Sequence, residues 1–212
     1  MTSEVKASFI NSLNYRLSQV LPGRVAQEQM APKPIDESRF RENPNYPPKL
    51  GGVMVLLFER GGDWWIPLMK RPEYNGHHSG QISFPGGKKE LSDSTLVETA
   101  IRETREEVGI EEDQIQLLGN LSELFIIASN FKVLPTVGVL HSIPSYVPDE
   151  KEVETILEVS LSDLKDKRLR GVKTMHFDQY TIQSPYFDVD GHIVWGATAM
   201  ILSELLQVID ER

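Results

Sequence analysis

Arg102-Glu103-Thr104-Arg105-Glu106-Glu107-Val108-Gly109-Ile110 is the run that decides how this chain folds. Its carboxylates at 103, 106 and 107 are spaced i, i+3 and i+4, which on a helix places them on one face. Val97, Ala100, Ile101, Thr104 and Val108 recur at helical spacing as an apolar stripe roughly opposite. Thr95 with Glu98 three residues on offers a capping box, Asp93 and Ser94 compete as N-caps, and Gly109 sits where a left-handed C-cap belongs. The pattern predicts one amphipathic helix over 95–108 with Val97, Ala100, Ile101 and Val108 buried. Like charges at this spacing destabilise a helix unless they fan into water or share a cation. Oxygen-only acidic sites suit Mg²⁺ or Mn²⁺, which keep waters and bridge to phosphates.

A solvated acidic face accounts for most runs of this kind, so the preceding residues decide between the two readings. Ile82-Ser83-Phe84 is a short apolar run, and Pro85-Gly86-Gly87 follows it. Strand, glycine loop and acidic helix in succession form a compact phosphate-and-metal site, because glycine lets the backbone approach closely. Glu103, Glu106 and Glu107 are therefore expected to face an open cleft beside Pro85-Gly86-Gly87. Arg71 or Lys70 should stand in the same cleft to match phosphates beyond the metal's reach.

Gly87 through Ile110 resembles the signature of the Nudix hydrolases, whose Arg-Glu-x-x-Glu-Glu-x-Gly core is complete here. Thr104 takes a position that is usually apolar. Ser94 stands where a glutamate is usual, and the spacer after the glycine is one residue longer; Glu90 and Asp93 are the nearby acids. The run His78-Ser79-Gly80-Gln81-Ile82-Ser83-Phe84-Pro85-Gly86-Gly87, with Glu90 and Asp93, resembles the coenzyme A pyrophosphatase branch, which has the longer spacer. Leu68-Met69-Lys70-Arg71 is similar to the start of that branch's upstream motif, although Pro72 replaces a serine and Gly76 stands where an arginine is common. Glu152-Val153 and Trp195-Gly196-Ala197-Thr198-Ala199 add weaker likeness, so the resemblance spans about residues 49–209.

The resemblance implies an α/β fold, an α/β/α sandwich around a mixed β-sheet. It implies hydrolysis of a nucleoside diphosphate linked to another moiety, by water attack on phosphorus, with Mg²⁺ or Mn²⁺ as cofactor. Metal held by acids neutralises the phosphates and lowers the pKa of a bound water. Glu103, Glu106 and Glu107 are the expected ligands, with the Gly87 carbonyl as a further oxygen. Arg102 orients the glutamates by ion pairing. The general base is a glutamate of the box or Glu152 from a later loop. Arg71, Lys70, His78, Gly86 and Gly87 are the expected substrate contacts. Within the branch, the substrate is coenzyme A or an acyl-coenzyme A, cleaved to phosphopantetheine and 3′,5′-ADP. Another reading is an ADP-ribose or other nucleoside-diphosphate-linked pyrophosphatase; a third is a binding module without turnover, which has no physical need for three clustered acids.

Composition bounds these readings. The 212 residues carry a net charge of −9, which disfavours nonspecific nucleic-acid binding. The same charge repels anionic substrates, so Lys70, Arg71, Lys88 and Lys89 around the glycine loop matter locally. There is no cysteine, which excludes disulfides and thiolate zinc sites and fits a reducing cytoplasm. Among the five histidines only His78 falls in a motif. No apolar run is long enough to span a membrane, and residues 1–20 do not read as a secretory signal.

Phe9, Ile10, Leu13, Leu17, Val20 and Leu21 predict a helix over 4–21, ended by Pro22-Gly23 and packed on the core or on the second subunit of a homodimer. Pro22, Pro32, Pro34, Pro44, Pro47 and Pro48 make the next stretch an irregular connector, giving an N-terminal part of 1–48 and a catalytic domain of 49–212. Residues 53–58 and 64–69 flank Arg60-Gly61-Gly62-Asp63 as a hairpin, in which Trp64-Trp65 is structural. Further strands are expected at 117–124, 132–140, 153–159, 172–177, 186–189 and 192–195. Short and long helices are expected at 161–165 and 197–209.

Overall fold

Alternation along β1 (Lys49–Arg60) sets the layers of the molecule. Met54, Leu56 and Phe58 point to one face of this strand and Val55 and Leu57 to the other, and all five are fully buried. A strand covered on both faces reads as a continuous apolar run. The computed structural model describes residues 1–34, 46–73, 80–177 and 180–210. In it β1 pairs antiparallel with β2 (Asp63–Lys70) across the Gly61-Gly62 turn and parallel with β7 (Phe131–Leu140). β3 (Ile82–Ser83) and β8 (Thr155–Ser160) join β2, β4 (Gly86–Lys88) joins β1, and β5 (Ile115–Asn120) and β6 (Leu124–Ile126) join β7. This is the mixed sheet the resemblance implies. A separate three-stranded sheet is built from β9 (Arg170–Phe177), β10 (Tyr180–Val189) and β11 (His192–Trp195).

Helices cover both faces of the large sheet. α3 (Leu96–Val108) packs Ala100 and Val108 against Met54, Leu56 and Phe58. The opposite face takes α1 (Ser3–Leu17) through Ile10, Leu13 and Leu17, and α5 (Gly196–Asp210) through Ala199, Leu202 and Leu205. Arg16 of α1 donates to the Val208 and Ile209 carbonyls, placing a cation at the C-terminus of α5. Trp64 is buried and stacks on Phe9 with ring centroids 4.5 Å apart. Among the described residues no helix is long and apolar enough to cross a membrane.

The differences from expectation have local causes. α1 stops at Leu17, where the Ser18 hydroxyl donates to Tyr15 O at 2.6 Å, and Val20 is 95% exposed. The proline-rich stretch is not all irregular. It holds α2 (Gly23–Gln27) and a 3-10 turn at Glu28–Met30, because Ala26 and Met30 bury themselves beside α5. The strand expected at 117–124 is broken in two. Between the pieces, Ser122 N–H donates to Glu204 Oε1 at 3.1 Å, and Gln27 Nε2 donates to Glu204 Oε2 at 2.8 Å. A fully buried carboxylate on α5 needs those donors, and the chain leaves the sheet to supply one. β9 and β10 extend beyond the expected strands, and β8 starts at Thr155 rather than 153. α4 (Leu161–Lys165) and β11 match the sequence reading.

Candidate active site

Four glycines let α3 settle onto the sheet. β4 pairs antiparallel with β1 in the register Gly51↔Lys88, Gly52↔Gly87, Val53↔Gly86. A Cβ on Gly52 would run into the Leu96 carbonyl oxygen and lie 3.0 Å from Ala100 N. A Cβ on Gly51 would lie 2.6 Å from Gly87 O, and one on Gly86, at φ 156°, would lie 2.5 Å from Gly52 O. The Cα of Gly87 faces the Glu103 carboxylate so closely that any side chain there would displace it. Glycine serves here for close approach.

The antiparallel ladder then decides which peptide groups are free. Met54 N–H donates to Pro85 O and Lys89 N–H to Leu50 O, both at 2.8 Å, so in this register Gly87 sits at a ladder-bonded position and Gly86 does not. The Gly87 carbonyl, expected among the metal oxygens, therefore points into the ladder toward β1. Gly86 turns its peptide groups outward: its N–H donates to Glu107 Oε2 at 2.7 Å and its carbonyl accepts from Arg71 Nη2 at 3.3 Å.

α3 begins and ends as its sequence predicts. Thr95 Oγ1 accepts from Glu98 N–H at 3.1 Å, and Gly109 adopts φ 72°. The reciprocal bond of the capping box is displaced by one residue, since Glu98 Oε2 accepts from Ser94 N–H at 2.7 Å. Ala100 and Val108 are buried, while Val97 and Ile101 are only partly covered; Thr99, Thr104 and Glu107 take the remaining buried places.

The three helix carboxylates do not share one environment, contrary to the expected open cleft. Glu107 is 1% exposed, tucked under Gly86, where Arg71 Nη2 donates to its Oε1 at 3.0 Å. Burial pushes its carboxyl up to about 8, with Arg71 and the Gly86 N–H pulling down and Glu103 and Glu152 adding to the push. Glu103 is half-buried over Gly87; burial raises it too, Arg102 opposes, and the charges of Glu106 and Glu152 add. Glu106 is exposed and leans on Arg102 at 3.0 Å.

Arg102 gathers this side of the helix. Its Nε and Nη2 donate to the two oxygens of Asp93, each at 3.0 Å, and Nη2 also reaches Lys88 O at 3.1 Å. Nη1 lies 2.9 Å from Glu103 Oε1 and 3.0 Å from Glu106 Oε2. Asp93, 6% exposed, also accepts from Glu90 N–H and Thr99 Oγ1, both at 2.9 Å. Arg102 hydrogen bonds hold its carboxyl well below the ordinary range. Asp93 thus fills the place left open by Ser94: the longer spacer loops once more and presents its second acid to the arginine. Sequence spacing pointed to both acids without choosing between them.

Glu152 reaches the same neighbourhood from the loop before β8, where it is exposed and its side chain has no hydrogen bond or ion pair to a described residue. Lys70 and Arg71 are both drawn to carboxylates of the protein, Lys70 Nζ to Glu154 Oε1 at 2.6 Å and Arg71 to Glu107. The open depression beside Glu103 is bounded instead by Leu50, Lys88, Lys89, Glu90 and Leu91. His78 lies outside the described residues.

These residues fit a hard divalent cation. Glu103 raises the proton affinity of Glu107, and Glu152 raises that of both, an arrangement a cation relieves. Their donors are all oxygen, as Mg²⁺ and Mn²⁺ prefer. Among the described residues no three such side chains already converge on one metal position, because Arg102 and Arg71 hold the carboxylates they pair with.

A family model described as the NUDIX domain matches residues 48–190. Nudix hydrolase 15, mitochondrial, of Arabidopsis thaliana is 33% identical over 195 residues, covering 88% of this chain. The chain spans 65% of that relative's own length. Mitochondrial coenzyme A diphosphatase NUDT8 of Mus musculus is 33% identical over 168 residues, 76% of this chain and 79% of its own. Among solved structures, a MutT/nudix family protein from Enterococcus faecalis superposes with a TM-score of 0.53 at 16% identity, covering all of this chain and 76% of that one. That likeness concerns the fold.

Proposed function

Because the chain belongs to the Nudix hydrolase family, we propose that it cleaves the pyrophosphate linkage of coenzyme A or an acyl-coenzyme A to phosphopantetheine and 3′,5′-ADP. The observation that carries the substrate reading is the Asp93–Arg102 clasp. The longer spacer by which this chain departs from the general signature is built into the site, and that spacer is what resembles the coenzyme A branch. Its similarity to NUDT8, named a coenzyme A diphosphatase, supports the same reading.

The proposed roles follow from the partners each group has. Glu103 and Glu107 hold the cation, Mg²⁺ or Mn²⁺, with Glu106 completing the acidic rim and the Gly86 carbonyl as an adjacent main-chain oxygen. When bound, the metal neutralises the pyrophosphate and makes a coordinated water more acidic. Arg71 and the Gly86 N–H keep the buried Glu107 in place. Arg102 keeps Glu103 and Glu106 turned toward the glycine strand. Glu152 is the general base, since its carboxylate, unlike those of Glu103 and Glu107, has no cationic partner among the described residues and is free to take the proton. A water oxygen attacks one phosphorus, its proton passes to Glu152, and the bridging P–O bond breaks with the electron pair leaving on the second phosphate. Lys88 and Lys89 border the depression in which an anionic substrate lies.

Steady-state kcat/KM for coenzyme A, acetyl-coenzyme A, ADP-ribose and NADH with Mg²⁺ tests this reading. A higher value for coenzyme A or its acyl form supports it. A higher value for ADP-ribose removes the branch assignment and leaves a Nudix pyrophosphohydrolase of other specificity.

A further inference from the structure

The loop 141–154 between β7 and β8 has no regular structure, yet it is tied down at both ends of the site. Val147 N–H donates to Val108 O at 2.9 Å and Asp149 N–H to Glu107 O at 3.0 Å, which satisfies carbonyls of the last turn of α3. Gly109 makes room for this crossing, since a Cβ there would lie 2.7 Å from Val147 Cβ and 2.8 Å from Val147 O. On the other side, Glu154 N–H donates to Lys70 O at 2.8 Å, next to the arginine that holds Glu107. Between these anchors the chain makes one tight turn centred on Asp149. Its carbonyl accepts from Glu152 N–H at 3.0 Å and from Val153 N–H at 2.8 Å, and its Oδ1 accepts from Lys151 N–H at 2.8 Å. Val153 is buried, so the turn cannot roll, and Glu152 is its projecting corner.

We propose that Asp149 is a positioning residue: its side chain holds the turn that carries Glu152, and its N–H anchors that turn on the Glu107 carbonyl, so that base and helix face keep one spacing. The inference rests on the reading of Glu152 as the base. A side-chain oxygen bonding the main chain two residues on holds a turn without needing its charge. Asparagine therefore preserves the device, whereas alanine leaves Glu152 on a looser loop.

The test uses the full chain with Mg²⁺ and whichever of coenzyme A, ADP-ribose or NADH the wild-type enzyme turns over fastest. Asp149→Ala is expected to lower kcat about tenfold at unchanged KM, because small displacements of a reacting group are costly. Asp149→Asn should keep kcat within about twofold of the wild type. In a Glu152→Gln background, Asp149→Ala should cost nothing further, since it acts through Glu152. An equal loss in both backgrounds, or an asparagine variant as poor as the alanine one, overturns the positioning role. Wild-type turnover by Glu152→Gln alone is a different failure: it withdraws Glu152 as the base, and the inference falls with it.

Discussion

The two faces of β1 are covered by helices in different ways. On the α1 and α5 side, Val55 and Leu57 sit in an extended apolar cluster that includes Leu13, Leu202 and Leu205. On the α3 side the buried cluster is smaller, built on Met54, Leu56, Phe58, Ala100 and Val108. There α3 is brought in by contact with the backbone of Gly52 and fastened at its rim by two arginines. One face is held by side-chain volume, the other by close approach and charge. A helix held in the second way keeps its acids at the edge of the sheet, where chemistry can use them.

Gly52→Ala strikes the second face hardest. The new methyl would overlap the Leu96 carbonyl, a backbone atom that cannot swing aside, so α3 must lift from β1. Turnover is expected to fall about 10²-fold, with a lower unfolding temperature, because a shift of about 1 Å misplaces the carboxylates. Unchanged kinetics would mean that the helix seat is soft. Leu205→Ala, at a fully buried position on the first face, is expected to cost about 3 kcal/mol of stability in denaturant unfolding. Its kcat, measured well below the transition, should stay at the wild-type value; a fall in kcat would break the division between the two faces.

Asp93→Asn has the smallest expected effect and a pH signature. Arg102 holds the Asp93 carboxyl well below its ordinary 3.8, so as pH falls the unfolded chain takes up the proton first. The clasp therefore contributes its stability above about pH 4, and loses it as pH drops through the lower folded value. Asparagine keeps an acceptor but loses the charge, at an expected cost of about 2 kcal/mol at pH 7. The acid-side decline of the unfolding temperature should be shallower in the variant. An unchanged acid profile would show that Asp93 is not the group linking stability to pH.

How much of this was readable in the sequence follows the same division. α3 was legible to within a residue because its stripe, Thr95 cap and Gly109 stop are local. The burial of Glu107 was not, because it depends on a bond from Gly86, 21 residues earlier in the chain. The direction of the Gly87 carbonyl is illegible for the same reason: only the register with Gly52 shows that it points into the ladder. The Gly51-Gly52 doublet was itself a signal, a second glycine pair at a strand start able to face Gly86-Gly87. The break between β5 and β6 answers to Glu204, whose need for donors no local pattern reveals. Acids could be counted in the sequence, but which of them an arginine would occupy could not.

If the carboxylates of α3 hold the catalytic cation, Glu107→Gln removes the ligand on which turnover depends. Glutamine keeps the shape of the buried side chain and can still accept from Gly86 N–H, but it removes the charge. Measured at saturating Mg²⁺ on the best substrate, kcat is expected to fall about 10²-fold or more, with the unfolding temperature of the metal-free protein no lower than wild type. Near-normal turnover at saturating Mg²⁺ would contradict the claim and remove Glu107 from the metal site.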